Sequence, residues 1–162
     1  MRGCRHLALV ATLAMGGGAV AASHAAEADY KLTACGQQTA VMLQSGPDLT
    51  VFSAQARYAI APPAVPKVFD NIAGHCVGYF RITDGKFTHM GSCRWTDPDG
   101  DTFIGESVMV PDKPGVWTFL SGTGKWKGIS ATGTWSLLNM SKPDADGSQV
   151  LCQLMTGKYA VP

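Results

Sequence analysis

The chain has 162 residues, 46% of them hydrophobic and 15% charged, with a formal net charge of +1. That length fits one domain, or two very small ones at most, and the low charge fraction argues against a disordered chain. The near-neutral balance gives no basic surface for phosphates, so no nucleic-acid partner is expected.

At the N-terminus, Arg2 and Arg5 precede the uncharged apolar run Leu7 to Met15. Gly16-Gly17-Gly18 interrupts it, and a stretch rich in small residues follows from Ala19 to Ala28. A basic start, a short apolar run and small residues behind it predict a secretory signal peptide. A membrane-spanning helix needs about 20 apolar residues, so no span is expected in the processed chain. Cleavage after Ala25 satisfies the small-x-small rule through Ser23 and Ala25, with Ala26 and Ala28 as alternatives. Residues 1–25 are thus read as the signal and 26–162 as a single domain, secreted or periplasmic. Processing removes Arg2, Arg5 and Cys4, which turns the net charge slightly negative. It leaves Cys35, Cys76, Cys93 and Cys152, an even set that reads as two disulfides in an oxidising compartment.

The rest of the chain shows no sustained helical periodicity. Short β-branched and aromatic runs alternate with Gly, Pro and Asp clusters. They predict strands near 38–43, 49–59, 73–83, 86–96, 102–110, 115–121, 130–139 and 148–157. The breaks include Ser45-Gly46-Pro47-Asp48, the proline-rich Ala61–Pro66, and Lys142–Gly147. Eight antiparallel strands at this spacing suit an up-and-down barrel or a sandwich.

One hairpin can be registered. Asp84-Gly85 between alternating runs signals a two-residue type I′ turn, because both turn positions need positive φ. Thr83 then opposes Lys86, and counting outward Cys76 opposes Cys93. That pair is not hydrogen-bonded, so its Cα atoms approach to about 4.5 Å, within disulfide range. Cys76–Cys93 is therefore predicted, and Cys35–Cys152 by elimination. Side chains alternate along a strand, which puts Phe80, Phe87, His89 and Trp95 with the two cysteines on the inward face. The following hairpin leaves two registers open. A four-residue loop 97–100 turns Glu106 inward, near His89, whereas a type I turn with Gly100 in a bulge pairs Asp97 with Asp101 and turns Glu106 outward.

Several motifs reduce to plainer readings. Asp97-Pro98-Asp99-Gly100-Asp101 has alternating oxygens but lacks the glycine and distal glutamate of a calcium loop, so a hairpin turn is expected. Gly122-Thr123-Gly124-Lys125 lacks the leading glycine and trailing Ser/Thr of a phosphate loop. His75 and His89 fall on opposite faces, and no zinc-type spacing remains once the cysteines are oxidised, so no metal or cofactor is expected. Asn139-Met140-Ser141 is a formal glycosylation sequon, meaningful only in a glycosylating host.

The run Ser121-Gly122-Thr123-Gly124-Lys125-Trp126-Lys127-Gly128-Ile129-Ser130-Ala131-Thr132-Gly133-Thr134-Trp135 resembles a glycine-rich segment of allene-oxide-cyclase and dirigent-type barrels. It is also similar to exported bacterial proteins that share that barrel. The resemblance covers roughly residues 72–136, with Ala131 where a glycine is commoner. It implies an eight-stranded antiparallel up-and-down barrel of the calycin-like kind, an apolar cavity, and often a homo-oligomer, commonly a trimer. Plant members cyclise an epoxide or guide radical coupling, but none of their functional residues can be placed here by motif, and fold alone does not transfer function.

The resulting expectation is a barrel binding a small apolar or aromatic molecule in a lumen lined by Phe80, Phe87, His89 and Trp95. A competing reading is a cofactor-free cyclase or isomerase with His89 and Glu106 as acid–base groups. A third is a structural or interaction protein whose barrel is filled by side chains. A lumen lacking a cavity of roughly 300 Å³ would remove the first two.

Overall fold

The computed structural model describes residues 26–162, so the expected signal segment and Cys4 lie outside the described residues. Eight strands run in chain order around a closed antiparallel barrel. They are β1 (Ala28–Gln44), β2 (Leu49–Val65), β3 (Ala73–Thr83), β4 (Lys86–Thr96), β5 (Thr102–Met109), β6 (Gly115–Gly122), β7 (Ser130–Met140) and β8 (Ser148–Ala160). Closure comes from β1 pairing with both β2 and β8. The barrel, and not the sandwich, is thus the solution that leaves no free sheet edge along its length.

The registered hairpin forms as expected. Asp84 and Gly85 both have positive φ, 49° and 74°, and Thr83 opposes Lys86 with Cys76 opposite Cys93. Both disulfides are present, each with Cα atoms 4.0 Å apart. Cys76–Cys93 faces the interior, whereas Cys35–Cys152 joins the strands that close the barrel.

Two expectations about strand limits are corrected. The first strand begins at Ala28, ten residues before the expected start at 38, and buries Tyr30, Leu32 and Ala34 by strict alternation. β2 continues through Pro62 and Pro63 to Val65. Beyond Ile60 it pairs only with β1, and the two prolines fall in the register shift between Thr33↔Ala61 and Lys31↔Val65. A residue without an N–H is tolerated where one side of the strand has no partner.

The up-and-down order puts alternate connections at opposite ends. The turns near 45–48, 84–85, 110–114 and 141–147 surround one end, the mouth. The connections near 66–72, 97–101 and 123–129 surround the other. The latter end is packed solid. Short 3₁₀ turns at Lys67–Phe69 and Gly124–Trp126 drop Phe69 and Trp126 into it. Phe69 lies 5.2 Å from Trp126 and 5.1 Å from Tyr159, centroid to centroid. Trp95, Phe103, Phe119 and Met155 fill the layer above.

A buried carboxylate fastens this plug. Asp97, 5% exposed, accepts hydrogen bonds from Trp126 Nε1 at 2.7 Å and from the N–H groups of Asp99 and Asp101 at 2.9 and 3.0 Å. Lys125 Nζ completes the set at 2.9 Å and also reaches Asp99 at 2.6 Å. Burial alone would raise the Asp97 pKa. The bonds from Lys125, Trp126 and the two backbone groups outweigh it and hold the carboxyl below its ordinary value.

Replacing Asp97 with Ala strands the Trp126 indole N–H and two backbone donors. We expect a loss of about 3 kcal/mol in urea denaturation. Because the folded pKa is depressed, the Asp97 contribution is complete above the unfolded value of about 4 and is lost as pH falls through the folded value. In Asp97→Asn that portion of the acid-side slope in stability is expected to disappear.

Candidate functional site

The mouth half of the lumen is open. Where the lower half carries large rings, the inward row above it carries Ala54, Gly78, Gly91 and Ser107, opposed across β2 to β5. The missing side-chain volume leaves a cavity of about 490 Å³, within the range of small-molecule sites. The Cys76–Cys93 disulfide and Trp117 line it, with Phe52, Phe80, Ile82, Phe87, Met109, Trp135, Leu137 and Leu151. Polar lining comes from His89 and Ser107, and from Gln38, Gln149 and Gln153 on β1 and β8.

His89 is the centre of the polar set. Its Nε2 lies 2.7 Å from Ser107 Oγ, and its ring stacks on Phe80 at 4.4 Å with Trp135 edge-on at 5.6 Å. Two glycines give the ring room to lie against the wall. A Cβ on Gly78 would meet His89 Cε1 at 3.0 Å, and one on Gly91 would meet it at 2.9 Å. Burial lowers the His89 pKa to about 4, with the Tyr79 backbone acting weakly the other way. The contact with the Tyr79 backbone is a weak one, since no partner meets hydrogen-bond geometry at Nδ1 among the described residues. The imidazole is therefore neutral near pH 7. Burial likewise pushes the Tyr58 hydroxyl at the cavity edge up to about 12, so it too is uncharged.

Three of the four expected lining residues, Phe80, Phe87 and His89, stand in the cavity wall. Trp95 is a correction. It faces inward but lies below the cavity, fully buried against Phe103 and Trp117. Its place on β4, two residues past Cys93, carries it into the plugged end. Glu106 does not meet His89. Asp97 N–H bonds the Asp101 carbonyl at 2.9 Å, and Gly100 takes φ 91°, so the bulged turn is the one that forms. Glu106 then opposes Ser92 on the exposed outer face. The same register turns Ser107 inward, where it supplies the partner of His89 that the sequence reading missed. Phe52, Trp135 and the three glutamines were also missed, because their strands had no registered turn.

Among the described residues no three His, Cys, Asp or Glu side chains cluster closely enough to hold a metal ion. With Glu106 outside, the chemistry available in the lumen is hydrogen bonding by an uncharged Ser–His pair and amides, within a wall of rings and aliphatic groups.

No protein-family model and no curated protein matches this sequence. Among solved structures the chain is similar to the pterocarpan synthase dirigent protein GePTS1. The TM-score is 0.51 at 13% identity, over 86% of this chain and 94% of that one. At that identity the likeness shows the fold, a dirigent-type closed barrel, and leaves the site to be judged on its own residues.

His89 is expected to titrate with a midpoint near pH 4 by NMR. Gly78→Ala pushes the ring away from the wall and Ser107, and the midpoint should then rise toward 6.5. The unfolded chain takes up this proton near 6.5 while the folded one resists it until about 4. Stability attributable to His89 therefore declines as pH falls between those values, and a His89→Phe variant should lose that part of the decline.

Proposed function

We propose that this protein is an exported β-barrel that binds a small apolar or aromatic molecule in its lumen. The observation that carries the reading is the cavity of about 490 Å³, floored by packed rings at one end and lined by apolar groups toward the mouth. A barrel serving only as a scaffold would gain from filling that space, since an unfilled apolar void costs stability. Here glycines opposed at 78 and 91 keep it open.

Export rests on the basic-then-apolar N-terminus and on two disulfides, which persist in oxidising compartments. Those features and the segment 121–135 support reading it with exported bacterial barrels. Self-association also has support. The register aligns Tyr79, Met90, Val108 and Val116 in one row across β3 to β6 on the outer face, each 42–59% exposed. Such a contiguous apolar row is typical of an interface, and we read it as the surface of a homo-oligomer.

The cofactor-free cyclase or isomerase remains the second reading, favoured by the 2.7 Å contact between His89 and Ser107. Without Glu106 that pair is the acid–base apparatus of the lumen, and a base this weakened by burial suits hydrogen-bond orientation better than proton abstraction.

Native mass spectrometry of protein purified from its own periplasm or medium tests the main reading. A retained small molecule, released on unfolding, is expected, together with a mature N-terminus near residue 26. Repeated isolation of ligand-free protein would count against binding as the role. In sedimentation, Met90→Glu combined with Val108→Lys should convert an oligomer to a monomer, and a wild-type monomer would refute the interface.

A further inference from the structure

The chemistry of the lining narrows what the lumen can hold. We propose that the cavity selects uncharged ligands whose apolar body carries one oxygen group, and that the Ser107–His89 pair anchors that oxygen. This rests on the luminal-binding reading above and goes further by naming the ligand class.

Among the described lining residues none is Asp, Glu, Lys or Arg. A carboxylate or ammonium drawn into the cavity finds no opposite charge, and burying an unpaired ion is far costlier than burying a hydrogen-bonded neutral group. Neutral partners are present on two opposite walls. In a ring of eight strands β4 and β5 stand across from β8 and β1. The Ser107–His89 pair therefore faces the amides of Gln153 and Gln38, both largely buried.

The aromatic wall adds a sign. Phe52 and Phe80 stack at 4.7 Å with only 5° between their planes, which is the spacing of neighbouring strands. Rings stacked along that direction turn their faces to each other and their edges to the lumen. Ring edges carry the positive part of the quadrupole, so the wall disfavours a cation and suits an electron-rich surface or an oxygen lone pair.

The anchor sits at depth. Ser107 opposes Gly91 and Trp117, one inward step below Met109 on β5. Its hydroxyl and the neutral imidazole share one hydrogen bond: with the proton on Nε2 the ring donates to Ser107 Oγ and the hydroxyl is free to donate onward, whereas with Nε2 bare the hydroxyl donates to it and can only accept. In the first arrangement a ketone, ether or alcohol oxygen completes the hydroxyl, and in the second an alcohol does. A hydrocarbon of the same size fills the cavity without doing so.

The test is isothermal titration calorimetry with four naphthalenes of matched size: 1-acetylnaphthalene, 1-ethylnaphthalene, 1-naphthoate and 1-naphthylmethylammonium. The indole N–H signals of Trp117 and Trp135, which line the cavity, report luminal occupancy by NMR. At pH 7 the ketone should bind about tenfold more tightly than the hydrocarbon or either ion. Naphthoate should gain as pH falls from 7 to 5, by up to about tenfold per unit, because it enters as the neutral acid. Ser107→Ala should bring the ketone down to the hydrocarbon and leave the hydrocarbon unchanged, with the indole signals of Trp95 and Trp126 in the plug certifying the fold. Glu106→Gln, one residue away on the exposed outer face, gives a second variant and should spare the ketone's preference.

Naphthoate or the ammonium binding as tightly as the ketone at pH 7 would overturn the selection. A ketone unaffected by Ser107→Ala would overturn the anchor. If the hydrocarbon binds with luminal indole shifts while the ketone gains nothing, the binding reading stands and this proposal fails. If none of the four shifts the indoles, both fail.

Discussion

A carboxylate with no exposed side-chain surface, Asp97, holds the plugged end of the barrel together. Its two oxygens take an indole N–H, two backbone N–H groups and an ammonium, so the 97–101 hairpin and the 123–129 connection become one unit. Burying an acceptor of this kind is costly unless it is satisfied, and here four donors meet it. Once the Trp126 ring is fixed, Phe69 packs on it from the 66–72 connection and fills the end. A blind pocket at the mouth is the consequence. Its floor is the upper surface of the plug.

The division of the lumen follows from side-chain volume in successive layers. An eight-stranded barrel has an interior just wide enough for side chains to fill. Two tryptophans, Trp95 and Trp126, with Phe69, Phe103 and Phe119, occupy the lower layers. In the layer above, β2 to β5 contribute Ala54, Gly78, Gly91 and Ser107. The large rings nearer the mouth then tilt over empty backbone and stack on one another. His89 lies flat against the wall because two glycines lie beneath it, and that posture brings Nε2 to Ser107. The polar site is thus set by absent side chains as much as by present ones.

What the sequence disclosed depended on turn chemistry. Asp84-Gly85 admits one turn, so β3 and β4 could be registered residue by residue, and the Cys76–Cys93 bridge and the inward placement of His89 followed. Asp97-Pro98-Asp99-Gly100-Asp101 admits two loops, and a shift of one residue exchanges every side chain between faces. Whether Glu106 or Ser107 stood beside His89 was therefore undecidable locally. In the bulged turn that forms, the buried Asp97 carboxylate meets Trp126, which lies far along the chain. Depth was illegible for the same kind of reason. Trp95 alternates correctly with His89 and Cys93, yet whether an inward residue meets cavity or plug depends on loops that arrive from elsewhere. The start of β1 is legible in principle. Tyr30-Lys31-Leu32-Thr33-Ala34 alternates plainly, although it adjoins the expected cleavage region, whose small residues mask the strand signal.

The likeness to a dirigent barrel at 13% identity and the apolar lumen bear on different levels. Closure of eight strands needs alternation, turns and a few close backbone approaches, conditions that many sequences meet. The identity of the inward residues is nearly free so long as the plug stays packed. A barrel can therefore keep its wall and exchange its contents, and the polar groups within it are the part that carries specificity. In this chain those groups are neutral. The carboxylate that could have entered the lumen lies outside at Glu106, and the histidine that remains is discharged by its own burial. The two facts have one structural origin, since the hairpin register that excludes Glu106 is the one that gives His89 an uncharged hydroxyl for a partner.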